Sequence, residues 1–342
     1  MLLRRLLALA VAVGLVVGAW QVRARLFGAD GADGAEQAPA DLRVACVREL
    51  AQVCQALDAS SPALVEEAAT TVARFGDAEL PFDVWLTLDP WPTLAANARA
   101  RAGQAELAQQ VSEVLARTPV ALAVQADRLA PMQEVCGGAL EWRCLGERAD
   151  ESWADLGGES TWGRVKVGID HPAERAAGLL TLAEATASYF GGADYNTQSL
   201  TSPDYFSWLS DLAAAVGTTT NQSPFERMLL TGSAEYEFVG VLESSAIPLL
   251  RQAPGRAERI VVQLPEPVVT ADVVAVGYGP AAEDAAARVV EQVAGPLADS
   301  GWRVPDAAPP SEVEGGALPE DNGLPSAAAL EALQQTWAEV TR

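Results

Sequence analysis

His171 is the single histidine of the 342-residue chain, so the chemistry open to it is limited. A hydrolase triad needs a nucleophile beside a base, and no GxSxG surrounds any serine. There is no HExxH and no Walker A loop, and Gly277-Tyr278-Gly279 runs into Pro280 and breaks off a GxGxxG reading. Glu66 and Glu67 are adjacent acids, but neighbours on a strand point to opposite faces. These residues argue against an enzyme, and no cofactor is expected. What remains is recognition. His171 lies in VKVGIDHPAERAAGLLTLAEATASYFGG, residues 165–192. Val165, Val167 and Ile169 alternate as a strand does, and Asp170-His171-Pro172 reads as a turn. Pro172 suits the first position of a helix, and Ala176, Leu179, Leu180, Ala183, Ala187 and Phe190 then recur at helical spacing up to Gly191-Gly192. The first N–H groups of such a helix have no internal partner and bind anions or polar groups. The same pattern also suits a βα unit whose helix only packs.

The rest of the chain must position this unit. Residues 42–46 read as a first strand, followed by Leu50, Val53, Cys54 and Leu57 at helical spacing. Strands are expected at 63–71, 82–86, 119–124, 237–242, 259–264 and 268–276. Helices are expected at 93–103, 204–216, 224–231, 282–298 and 326–341, the last with the stripe Leu330, Leu333, Trp337 and Val340. Residues 305–325 read as a surface loop rich in Pro, Gly and acids. Strands alternating with helices predict a parallel sheet with crossovers.

Hydrophobic residues make up 49% of the chain, the content of a globular protein, and the length suffices for two compact lobes. The formal charge is −23, and Arg4, Arg5, Arg23 and Arg25 lie in an acid-free start, so the body is more acidic still. Such a surface repels nucleic acid and anionic lipid. Arg4 and Arg5 followed by an apolar run to Trp20 read as a secretory signal peptide or a short signal-anchor over residues 1–27. Val17-Gly18-Ala19 offers a cleavage site, whereas Arg23 and Arg25 suit an anchor; both place the body outside the cytoplasm. Residues 28–41 form a Gly/Ala/acid linker. The four cysteines fit that address, and local pairing of Cys46 with Cys54 and of Cys136 with Cys144 is preferred among three connectivities. A continuous helix between Cys46 and Cys54 would hold their Cα atoms beyond the ~7 Å bridging limit, so an irregular turn is required there. Zinc is not expected, because the spacing is wrong for CxxC knuckles and one histidine is available.

In order along the chain, LRVAC with its helix, FDVWLTLDPW, ARTPVALAV, IDHPAERAAGLLTL, and EFVGVLESSA followed by RIVVQLPEPVVTADVVAV resemble a type 2 periplasmic solute-binding protein, of the broad class of molybdate and sulfate receptors. The resemblance covers residues 42–342. It implies an α/β fold of two lobes, each a mostly parallel sheet flanked by helices, joined by two crossing strands, with the ligand in the cleft. It implies lobe I at 42–121 plus 266–342 and lobe II at 122–265, with the C-terminal helix on lobe I. It places Val47, Arg48, Thr87, Asp89, Trp91, Thr118, His171, Glu243 and Ser244 as ligand-binding candidates. Each has a plainer reading. Trp91 either stacks on a flat ligand or covers a core edge; Asp89 before Pro90 also forms turns. Thr118 either bonds a ligand or caps a strand, His171 caps a helix equally well, and Arg48 suits a surface turn. Two departures matter. Such oxyanion receptors carry a serine after the first strand, where this chain has Cys46-Val47-Arg48. Where they carry a tyrosine and hydroxyls, it has Leu242-Glu243-Ser244. A carboxylate facing an oxyanion in a dry cleft is costly unless protonated or turned away.

The resemblance therefore implies a monomeric extracytoplasmic protein. It would capture a small-molecule solute and serve an ABC-type importer permease or another membrane protein. The alternative is a membrane-anchored interaction or sensor module with the same fold and a degenerate cleft.

Overall fold

The computed structural model describes residues 42–57, 63–216, 222–305, 308, 310, 312–314 and 318–342. The chain divides into Met1–Ala40 and Asp41–Arg342, and the description concerns the second unit. The expected signal segment and linker lie outside the described residues. No described helix is long and apolar enough to cross a membrane.

Two sheets share one strand. In the first, β1 (Val44–Val47) lies between β2 (Leu64–Glu66) and β3 (Val84–Asp89), parallel to both. β3 pairs antiparallel with β9 (Thr270–Tyr278), Val84 standing opposite Gly277. The far edge of β9 takes β4 (Gln109–Val111) and residues 116–119 of β5 (Ala116–Gln125). The remainder of β5 enters the second sheet between β7 (Phe238–Leu242) and β8 (Ile260–Gln263), antiparallel to both. β6 (Val167–Gly168) extends β7, and β10 (Val313–Glu314) extends β8, each in parallel. Each sheet is thus mostly parallel with one opposed strand, β9 in the first and β5 in the second. β5 crosses between them, and the chain returns from β8 to β9. This is the two-lobed α/β arrangement that the resemblance implied.

The crossing has a local cause. Pro119 removes a ladder donor inside β5, opposite Thr270, whose own N–H goes to the Asn322 carbonyl at 3.0 Å. One residue on, the Val120 N–H bonds the Val269 carbonyl at 2.8 Å, and Val120 already faces Leu242 of the second sheet.

The helices are α1 (Ala51–Gln55), α2 (Ala68–Arg74), α3 (Trp91–Arg101), α4 (Ala126–Cys136), α5 (Trp142–Glu147) and α6 (Ala176–Phe190). Then follow α7 (Pro203–Ala215), α8 (Pro224–Thr231), α9 (Glu243–Gln252), α10 (Pro254–Ala257), α11 (Ala282–Asp299) and α12 (Ala327–Val340). α6 is buried from Ala176 to Ser188 on every face, with the carboxylate of Glu184 held by the Trp142 indole N–H and the Val269 N–H, and it packs on α5, β7 and α12. Gly240 of β7 permits this, since a Cβ there would stand 2.1 Å from Cγ2 of Thr181.

Several sequence expectations need correction. The strand expected at 63–71 ends at Glu66, and Ala68–Arg74 is helical. Thr70, Thr71 and Val72 favour a strand, but Thr71 is fully buried and the helix packs on α3 and β1, so tertiary contact overrides propensity. The helix expected from Pro172 begins four residues later. The N–H groups of Glu174 and Arg175 both turn back to the His171 carbonyl, and Arg175 is extended as the N-cap. The sequence pattern marks no helix between 124 and 165, where α4 and α5 lie, and α9 follows β7 directly. The C-terminal helix does not rest on the first lobe alone. Glu331 meets Asn97 and Arg101 of α3 at 3.0 and 2.7 Å, whereas most of its packing is on α6 and α7.

Candidate functional site

Both cysteine pairs are disulfides, Cys46–Cys54 with Cα atoms 6.6 Å apart and Cys136–Cys144 at 5.8 Å. The first pins the segment that leaves β1. The irregular turn it requires is present, since Arg48–Leu50 form one 3₁₀ turn before α1. That turn sends two neighbouring side chains in different directions. Arg48 donates to Glu67, and Glu49 points at α6.

The Oε1 atom of Glu49 accepts the Ala177 N–H at 3.0 Å, in the first turn of α6. It thereby caps a helix start whose own N-cap, Arg175, provides no side-chain acceptor. The other carboxylate oxygen, Oε2, is buried without a hydrogen-bond partner. Gly178 allows the turn at Asp170 to approach, because a Cβ there would meet the Asp170 carbonyl oxygen at 2.4 Å. Arg175 donates to Asp170 at 2.8 Å and lies 3.8 Å from Glu67.

These groups border a cavity of about 290 Å³ between the two sheets. It opens beyond the carboxyl ends of β1 and β7, where open α/β sheets bind ligands. Glu49, Asp170, Glu226 and Ser244 contribute polar groups, and Phe225 and Trp302 contribute apolar walls. Ser244 is 5% exposed, and its Oγ has no partner. Burial raises the Glu49 carboxyl above its usual range against the pull of the Ala177 N–H and of its own backbone N–H, and the charges of Glu67 and Asp170 raise it further. Asp170 is also raised by burial, opposed by Arg175 and reinforced by Glu67 and Glu226. The arrangement offers acceptors to a bound group.

Of the nine candidates, Arg48 and Ser244 line this cavity and the other seven do not. Val47 is fully buried at the end of β1. Thr87 is fully buried within β3, and Trp91 is 2% exposed and covers core. Asp89 accepts from Nδ2 of Asn322 at 2.8 Å; burial raises its carboxyl, and the charge of Asp272 adds to this. Asp89 is thus taken up by the C-terminal segment, and Thr87 and Trp91 by the core. Thr118 is consumed internally, its Oγ1 accepting the Ser244 N–H at 2.9 Å, where it caps α9. Glu243 is turned away and fully buried, its two oxygens held by Nε and Nη2 of Arg303, the former at 2.8 Å. His171 is half-buried with its Nδ1 unpartnered, and its carbonyl forms the turn before α6.

Glu49 and Glu226 were not legible as site residues. Glu49 stands one position beyond Arg48, and its inward direction depends on the 3₁₀ turn. Glu226 reads as the far half of a capping box, which it also is: Ser223 and Glu226 bond each other's backbone. A larger hollow of about 760 Å³ lies along 193–195, 266–268 and 319–326. None of the buried, unpartnered side-chain atoms among the described residues belongs to its lining, so the smaller cavity is the better candidate.

No protein-family model matches the sequence, and no curated protein matches it significantly. Solved structures do match in shape. A periplasmic thiamin binding protein aligns with a TM-score of 0.55 at 14% identity, covering 88% of this chain and 96% of that one. A ferric binding protein from Campylobacter jejuni aligns at 0.54 and 11% identity, over 87% and 96%. An ABC transporter structure from Clostridium perfringens ATCC 13124 aligns at 0.53 and 9%, over 88% and 100%. At these identities the likeness establishes one thing, the two-lobed fold of periplasmic binding proteins.

Proposed function

We propose that the chain is an extracytoplasmic solute-binding protein that holds a small polar molecule in the cavity between its two sheets. The carrying observation is that Glu49 and Ser244, which line that cavity from the two sheets, each hold a side-chain oxygen, Oε2 and Oγ, that is buried without a partner. Native proteins pair nearly all buried polar groups, so unpaired ones on residues that border a cavity support a role in gripping a ligand. The fold supports the same reading, since its solved neighbours include a periplasmic thiamin binding protein and a ferric binding protein. In this proposal residues 42–121 with much of 266–342 form one lobe and 122–265 the other, while β10 joins the second sheet and α12 packs across to α6 and α7. The signal segment exports the body or tethers it, and a membrane permease of the ABC type receives the solute. Molybdate or sulfate is not the proposed ligand, because Glu49 already fills the helix start an oxyanion would use.

A second reading rests on that same bond. If the Glu49 cap is permanent, the cleft is self-occupied and the protein is an interaction or sensor module. Mass spectrometry of small molecules released from the purified, denatured protein tests the choice. A stoichiometric solute supports the first reading, and none, together with no stabilisation by any solute fraction, supports the second.

A further inference from the structure

We infer that the interlobe cavity takes the positively charged end of a small organic solute, an ammonium or amidinium group. This rests on the solute-binding reading and adds the ligand class. Three carboxylates border the cavity, Glu49, Asp170 and Glu226. Its two cationic neighbours are already engaged, Arg48 with Glu67 and Arg175 with Asp170. An entering anion would find the α6 start capped by Glu49 and would face acids on both sides of the gap. An entering cation finds the complement it needs. Glu49 Oε2 is a buried acceptor without a hydrogen-bond partner, and Ser244, a lining residue of the other sheet's side at 5% exposure, has an unpartnered Oγ as well. A carboxylate only accepts hydrogen bonds, so the group that satisfies Oε2 must donate one. A donor carrying positive charge also relieves the mutual repulsion of Glu49 and Asp170.

The cation is organic on two grounds. Among the described residues, no cluster of three or more His, Cys, Asp or Glu side chains is placed to hold a metal ion. Phe225, Leu249 and Trp302 supply an apolar wall that suits a carbon skeleton, and about 290 Å³ suits a small one.

The test uses the purified exported chain and a deproteinised metabolite extract of its producing cells, divided by ion exchange into cationic, anionic and neutral pools. Each pool is incubated with the protein and unbound solutes are washed away. A melt is recorded, and retained solutes are identified by mass spectrometry after denaturation. The expected result is stabilisation by the cationic pool and recovery of an amine or amidine. Affinity for the recovered solute should fall at least tenfold in Glu49→Gln and severalfold in Ser244→Ala, each shown by its melt to be folded. Retention from the anionic or neutral pool alone overturns the ligand class and leaves the solute-binding reading standing. Retention from none of the pools overturns both. Unchanged affinity in a folded Glu49→Gln variant overturns the site.

Discussion

The Glu49 carboxylate and the Ala177 N–H meet at 3.0 Å across 128 positions of sequence, joining the end of the first strand to the start of the central helix α6. The burial that accompanies this contact raises the Glu49 carboxyl above its ordinary value of 4.5. An acid raised in the folded state is penalised while charged, at pH above its folded value. Acidification through the window from that value down to 4.5 removes the penalty, so stability attributable to Glu49 rises as pH falls. Glu49→Gln keeps an acceptor for Ala177 and does not titrate. Denaturant unfolding of both proteins across this window should show the wild type gaining stability relative to the variant on acidification. Parallel curves would mean that Glu49 is not held as described.

Gly178→Ala sets two effects against each other. Alanine in a helix is favoured over glycine by about 1 kcal/mol. Here the added Cβ stands 2.4 Å from the Asp170 carbonyl oxygen and 2.7 Å from its carbon, both backbone atoms that cannot rotate aside. Overpacking of this kind costs about 1–3 kcal/mol, and a contact this short with fixed backbone atoms belongs at the upper end, so the variant should be net destabilised by about 2 kcal/mol. A Gly178→Ala protein with wild-type or higher stability would refute the close approach of turn and helix.

Much of the fold could be read from the sequence because its strongest signals are local. The 224–231 helix is found with the expected bounds, and Ser326 caps α12 as a polar residue before an apolar stripe should. The site was less legible. Along β3 the first five residues are all buried, so period-two alternation could not say which way Thr87 points. Asp89 and Trp91 lie at a strand end, as ligand residues do, but Asn322 takes Asp89 from 233 positions away in sequence and Trp91 is buried in the core. Glu49 resembles any acid in the first turn of a surface helix. Its direction is decided by a disulfide and a 3₁₀ turn together, and neither carries a side-chain pattern that shows the direction in advance.

The two disulfides each close a loop over a sequence separation of eight. A cross-link that restricts the unfolded chain stabilises a ring of this size by about 2.5 kcal/mol through loop entropy. Native protein should show no thiol reactive to a maleimide under denaturing, non-reducing conditions. Reduction should lower unfolding free energy by about 2–3 kcal/mol per bridge. Replacing Cys46 and Cys54 together by serine should also free the turn that aims Glu49 and weaken solute binding. The Cys136→Ser, Cys144→Ser pair serves as control, since it lies in α4 and α5, away from the cavity. Equal effects of the two pairs on binding would contradict this placement.

Glu243 and Arg303 supply the last prediction. Glu243 is the first residue of α9, in the second sheet's half, and is fully buried. Arg303 follows α11 and bridges by backbone to Arg117, whose guanidinium in turn grips Asp272 of β9 at 2.9 and 3.0 Å. The pair therefore ties the two halves together near the crossing strands. Removing one member of a buried ion pair strands the other charge and costs about 3–5 kcal/mol, whereas replacing both by apolar residues of similar size is close to neutral. Glu243→Ala and Arg303→Ala should each destabilise strongly. Glu243→Leu combined with Arg303→Met should recover most of the loss. Denaturant midpoints of the two single variants and the double variant decide the matter. A double variant as unstable as the sum of the singles would show that the two side chains act independently, and the tie between the halves would have to lie elsewhere.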